Sequence, residues 1–250
     1  MTSGIGRQFM EKTQYRHMVP SDQQKGLPQP PLELAPLQGT QEPVDLPAPA
    51  TIQLGEMSLK QAIEARKSLR QYADNPLSLQ ELSYLLWCTQ GVREITSGKA
   101  TFRTVPSAGA RHPFETMLLA NRVEGLEPGL YWFAAGEHRL LKLAGEPGIA
   151  DRITEAAYNQ TFILKSAATF IWIADTVRMT WRYGERGYRY MHIDAGHVCQ
   201  NLYLAAESIG AGACAIGAFT DEIMNELLGL DGVNQFVIYM GVVGKRESTA

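Results

Sequence analysis

The chain has 250 residues, 45% hydrophobic and 20% charged, with a net charge of −3. That is enough for one sizeable core, and the charge balance gives no general attraction to nucleic acid or to an anionic membrane. The chain has no apolar run of about 18 residues and no apolar signal-like core at its start. Its three cysteines lack metal-ligand spacing, so the expectation is a cytoplasmic protein with reduced thiols and no metal, nucleic-acid or membrane partner.

Residues 1–57 hold eight of the thirteen prolines, with Leu32, Leu34, Leu37, Val44, Leu46 and Ile52 scattered among them. Proline-rich chain favours extended conformations and avoids helices and central strands. The pattern predicts an extended N-terminal arm lying over a folded surface, of its own subunit or a partner, followed by a domain over 58–250. SLKQAIEARKSLRQY opens that domain as a helix with a Ser58–Gln61 capping box. PLSLQELSYLLWCTQG is a second helix, capped by Ser78 and Glu81 and stopped near Gly91.

TMLLANRV, GLYWF and HRLLKL read as strands, and GIADRITEAAYNQTF as a helix. ATFIWIADT is a continuous apolar run of strand length, hence buried on both faces. RYMHIDAGHVCQNLYLAAESIG is a long helix poor in charge, which belongs at the centre or at a subunit interface. GACAIGAF, DEIMNELLGL and NQFVIYMGVV complete the order as strand, helix and strand. This succession predicts an α+β fold with a mostly antiparallel central sheet, a long central helix and flanking helices.

Three segments have the chemistry of a ligand site. In EARKSLRQY, Arg66 and Arg70 are four residues apart, which on a helix places them on one face about 6 Å apart along the axis. They suit an anion clamp, or simply offset the helix's negative end. In RTVPSAGARHPFE, small side chains between two prolines leave backbone open to a flat ligand, or form a tight turn into a strand. GACAIGAFTDE offers open backbone at a strand's end. Asp194 and His197 are spaced as a metal pair but have no third ligand, so structural hydrogen bonding is favoured. Trp172 reads as core, and WRYGERGYRY as an exposed turn.

In this order, ARKSLRQY, PSAGARHPFE, RYGERGYRYMHIDAGHVCQNLYLAAESIGAG, IGAF with NELLGLDG, and YMGVVGK resemble the FMN-dependent nitroreductase-like oxidoreductases. The similarity is to their SagB-type, or thiazoline/oxazoline dehydrogenase, branch, and covers roughly residues 55–246. It implies a nitroreductase-like fold, an intertwined homodimer and FMN at the subunit interface. By resemblance, Arg66 holds the FMN phosphate with Ser68 beside it, and Arg70 reaches the N1/O2 edge of the ring. Pro106, Ser107, Ala108 and Gly109 line the ring from the partner subunit, Gln160 contacts the flavin, Ile216, Gly217 and Ala218 lie near N5, and Lys245 joins the phosphate cluster. No catalytic acid or base is assigned.

The implied activity is hydride transfer between NAD(P)H or another donor, the flavin, and a small flat acceptor of nitroaromatic or quinone type. The alternatives are oxidation of an azoline to an azole in a modified peptide, and flavin binding without turnover. The azoline dehydrogenases carry an adjacent Lys-Tyr pair, a dipeptide absent from this sequence.

Overall fold

Both capping boxes form. Ser58 and Gln61 satisfy each other's backbone at the start of α2 (Leu59–Ala65), and Ser78 and Glu81 do so at α3 (Leu79–Gln90). A computed structural model describes residues 4–35, 43–54, 56–97, 100–143 and 147–247. Helix α1 (Ile5–Lys12) precedes these two. The other helices are α4 (Ile149–Ala156), α5 (Phe162–Lys165), α6 (Thr176–Tyr183), α7 (Arg186–Ser208) and α8 (Asp221–Leu227).

The strands are β1 (Pro43–Asp45), β2 (Val92–Thr96), β3 (Ala100–Arg103), β4 (Phe114–Ala120), β5 (Gly129–Ala134), β6 (Arg139–Lys142), β7 (Ala168–Asp175), β8 (Ala211–Ile216) and β9 (Gln235–Lys245). Seven form one sheet in the order β1-β6-β5-β4-β7-β9-β8, with every neighbouring pair antiparallel. Strands β2 and β3 make a separate ribbon that the sequence reading does not anticipate. The α+β fold with an antiparallel sheet is as expected.

All eight residues of β7 are buried, because helices cover both faces of the sheet at its centre. Phe170, Trp172 and Ala174 face one way, into a core shared with Leu82 and Leu86 of α3 and Met191, Val198 and Leu202 of α7. Ile171 and Ile173 face the other way, toward Ile153 of α4, Ile163 of α5 and Met224 of α8. The period-2 alternation of a strand sorts one apolar run between two cores. The long helix α7 is therefore central, as its low charge predicts.

Residues 4–35 and 43–54 pack on their own chain. Thr13 accepts from Arg189, the Gln23 amide donates to Trp181 O (2.8 Å), and Trp181 Nε1 donates to Leu27 O (3.0 Å). These contacts bury Trp181, so part of the segment expected to be an exposed turn is instead helix α6 roofed by the N-terminal region. That region is not extended throughout, since α1 forms in its proline-free beginning. Strand β1 pairs only at the sheet edge, where a proline is tolerated. Pro36 and Leu37 lie outside the described residues.

Candidate functional site

Helix α2 ends one residue before the first arginine of interest. Arg66 leaves the helix at φ −54°, ψ 121°. Ser68 then makes a parallel bridge to Ala213 of β8, and the Leu69 amide donates to Ala213 O (2.8 Å). Leu69 lies so close over Gly212 that a Cβ there would stand 2.5 Å from Leu69 Cδ2. This corrects the helical geometry expected for Arg66 and Arg70. They share a side because alternate residues of an extended segment do, and Ser68 shares it with them. Four residues of strand rise separate their Cα atoms by about 13 Å, against about 6 Å on a helix. Side chains rooted that far apart suit opposite ends of an elongated ligand, where a helical pair would suit a single anion.

Each arginine lies over an aromatic ring. The Arg66 guanidinium is 5.3 Å from the ring centroid of Tyr203 on α7, and that of Arg70 is 5.9 Å from Phe162 on α5. Among the described residues neither makes an ion pair with a carboxylate, whereas Lys245 pairs with Glu81 and Arg246 with Glu207. Lys245 is thus turned toward α3. Glu207, which also accepts from the Lys67 amide (3.4 Å), ties Arg246 to the 66–70 segment instead.

Gln160 and the end of β8 join this cluster. Helix α4 stops at Ala156, because Tyr158 and Asn159 take left-handed backbone (φ 55° and 57°), so the single helix expected over 148–162 is broken in two. The turn delivers Gln160 Nε2 to Ala218 O and Ala157 O, both at 2.9 Å. Ile216 is buried, while Gly217 and Ala218 are exposed just past it. Consecutive left-handed non-glycine residues are costly and concentrate at functional sites.

The 106–112 loop is built separately. Ser107 Oγ donates to Asp194 of α7 (2.6 Å), the Ala108 amide donates to the same carboxylate, and the His112 amide donates to Ser107 Oγ (2.9 Å). Gly109 takes φ 57°, and a Cβ there would overlap Tyr183 Oη and stand 2.8 Å from Arg182 Nε. Asp194 therefore anchors a loop. Burial pushes its carboxyl up, and the bonds from Ser107 and Ala108 oppose that shift. Among the described residues no group of His, Cys, Asp and Glu could hold a metal. Asp194 and Tyr203 lie nine residues apart on α7, about 14 Å along its axis. Within one chain, the loop and the arginine cluster meet that helix at points about 14 Å apart.

Behind the loop is a buried charge network that local sequence does not mark. Arg178 donates to Glu115 (2.5 Å) and to the His112 carbonyl (2.9 Å), and pairs with Asp175 (3.2 Å). The Leu34 amide reaches Glu115 Oε1 (2.8 Å), and Glu33 pairs with Arg103 (3.3 Å).

Burial, then the charges of Arg103, Arg178 and Arg111, hold the His112 imidazole down at about 3. A depressed folded-state value means that its contribution is complete above the unfolded value, about 6.5, and is lost as pH falls toward 3. The slope limit is about 1.4 kcal/mol per pH unit. His112→Asn, which suits the left-handed φ of 43°, should flatten the stability loss between pH 6.5 and 4. Urea midpoints at the two pH values check this, and equal losses in both proteins would contradict it.

The residues present fit a phosphorylated flavin. Two guanidiniums without carboxylate partners among the described residues, a serine hydroxyl, an amide side chain and open backbone at a strand's end lie on neighbouring segments, and the nearby Glu207 carboxylate is already engaged by Arg246 and the Lys67 amide. Tyr203 and Phe162, which seat the arginines, carry no local signal of their role. Only the fold brings them there.

Residues 63–245 match the family model described as Nitroreductase, nitroreductase family. A Methanocaldococcus jannaschii protein with a provisional nitroreductase designation is 35% identical over 76% of this chain and 92% of its own length. The trifolitoxin-processing protein TfxB of Rhizobium leguminosarum bv. trifolii is 29% identical over 67% of this chain, which spans 46% of that protein. A crystal structure of a provisionally designated nitroreductase from Anabaena variabilis superposes with a TM-score of 0.63 at 29% identity, covering 76% of this chain and 38% of that one. No helix among the described residues is long and apolar enough to cross a membrane. By family and fold, the chain belongs to the nitroreductase family and is an oxidoreductase.

Proposed function

We propose that the protein is an FMN-dependent oxidoreductase passing hydride between NAD(P)H or another donor and a small flat acceptor of nitroaromatic or quinone type. The observation that carries this reading is the pair of carboxylate-free guanidiniums, Arg66 and Arg70, spaced along an extended segment beside Gln160 and residues 216–218. Bound there, FMN would supply a hydride-accepting and hydride-donating ring.

Arg66 and the Ser68 hydroxyl hold the phosphate, and Lys245, if it exchanges Glu81 for the ligand, adds to them. Arg70 offsets negative charge at the N1/O2 edge, a fixed cation where charge develops. Gln160 contacts the ring, with Ile216, Gly217 and Ala218 near N5. Small side chains leave one ring face open for a flat substrate to stack.

Pro106, Ser107, Ala108 and Gly109 line the ring from the partner subunit of a homodimer. Support for the homodimer comes from the separation of loop and cluster along α7. Apolar side chains are also exposed on adjoining helices, Leu59 and Ile63 on α2 and Ile193 on α7. The free cysteines Cys88, Cys199 and Cys214 suit the reducing cytoplasm.

Anaerobic titration tests the reading. NADH or NADPH should bleach the flavin absorption, and a quinone should restore it. A flavin that neither nicotinamide bleaches would point to another donor, and one that no donor reduces to binding without turnover. Similarity to the trifolitoxin-processing protein favours a second reading, azoline-to-azole dehydrogenation on a modified peptide, while the missing Lys-Tyr dipeptide counts against it. Turnover of an azoline peptide in place of NAD(P)H, with a quinone reoxidising the flavin, would select it.

A further inference from the structure

Tyr203 touches three segments of the cluster at once. Its hydroxyl accepts the Ala215 amide hydrogen at 2.8 Å and stands 3.0 Å from Ser68 Oγ, and its ring carries the Arg66 guanidinium at 5.3 Å. Helix α7 carries it beside buried Leu202 and Ala206, so the side chain is rooted in the most central helix of the fold. A free arginine loses rotamer freedom when it is fixed, and a ring face that orients the guanidinium beforehand removes part of that cost from ligand binding.

The hydroxyl acts on the serine. Oη accepts from the Ala215 amide, and the arrangement in which it gives its own proton to Ser68 Oγ is the one that leaves the Ser68 hydrogen for a ligand oxygen. The bond to Ala215 also fixes the strand that ends at residues 216–218.

We propose that Tyr203 is a positioning residue that makes the site selective for a phosphorylated over an unphosphorylated flavin, by presenting Arg66 and Ser68 to the phosphate. The proposal rests on the FMN reading above. It is tested by titrating apoprotein with FMN and with riboflavin, following flavin fluorescence, in the natural protein, Tyr203→Phe and Tyr203→Leu, with thermal unfolding as a check on folding.

The natural protein should favour FMN by about 100-fold, as expected for charge-assisted bonds to phosphate. Tyr203→Phe keeps the ring under Arg66 and should weaken FMN about fivefold, the scale of one hydrogen bond. Tyr203→Leu should weaken FMN about 30-fold, as ring and hydroxyl are both lost, with riboflavin affinity nearly unchanged. A merely structural role would weaken both ligands equally. An unchanged FMN-to-riboflavin ratio in Tyr203→Phe, or in a folded Tyr203→Leu, overturns the proposal and leaves the FMN reading standing. A natural protein that binds neither flavin overturns both.

Discussion

Arg66→Ala should release the cofactor, raising the FMN dissociation constant roughly 30- to 100-fold. Hydrogen bonds to charged groups contribute about 1.5–3 kcal/mol, and each 1.4 kcal/mol is tenfold. Arg66 makes no ion pair with a carboxylate among the described residues and packs on Tyr203, so its loss leaves no buried charge stranded and folding should be little changed. Arg66→Lys should recover only part of the affinity, because an ammonium lacks the planar fork that binds two phosphate oxygens. Fluorescence titration measures both. An Arg66→Ala protein that keeps FMN at nanomolar concentration would remove the phosphate assignment.

The second large effect lies behind the 106–112 loop. Arg178→Met should cost roughly 3–5 kcal/mol of stability, the scale of breaking a buried ion pair by removing one partner. Glu115 and Asp175 would both stay buried, having lost the charge they share. Burial already pushes the Asp175 carboxyl up, and Arg178 is the main opposing influence, so in the variant it should rise further. The His112 carbonyl would also lose its donor, loosening the loop held from the other side by Asp194. Urea unfolding of Arg178→Met, beside Arg178→Met with Glu115→Leu, measures the effect. The double variant should recover part of the loss. A single variant within about 1 kcal/mol of the natural protein would mean that the network is not structural.

Much of the framework is legible in the sequence because its signals are local. Ser58–Gln61 and Ser78–Glu81 are complete capping boxes within four residues. The apolar run at 168–175 has no other home than a strand covered on both faces. The low charge of 186–208 places that helix centrally. The errors fall where distant chain decides. The apolar spacing of α2 continues through Leu69 as if the helix ran on, and it stops at Ala65 because Ser68 and Leu69 pair with Ala213, far along the chain. The helical pattern over 148–162 breaks at Tyr158 and Asn159, whose left-handed backbone Asn tolerates but Tyr does not announce. Helix α6 has a readable start, since Asp175 accepts from the Val177 amide. The burial of Trp181 depends on residues 23–27 crossing it. Residues 66, 68 and 70 share one side through a two-residue period, where the local pattern suggested a helical one.

The central claim is that one flavin is held jointly by the 66–70 cluster of one protomer and the 106–109 loop of its partner. Subunit mixing tests it most directly. Arg66→Ala removes the phosphate contact, and Ala108→Trp fills the space beside the ring. Homodimers of either variant should bind FMN poorly. After the two chains are mixed and allowed to exchange partners, each heterodimer pairs the intact Arg66 of one chain with the intact Ala108 of the other, and tight FMN binding should return to one of its two sites. Binding that does not return on mixing, or FMN-saturated protein that scatters light as a monomer of 27.7 kDa, would contradict a shared site.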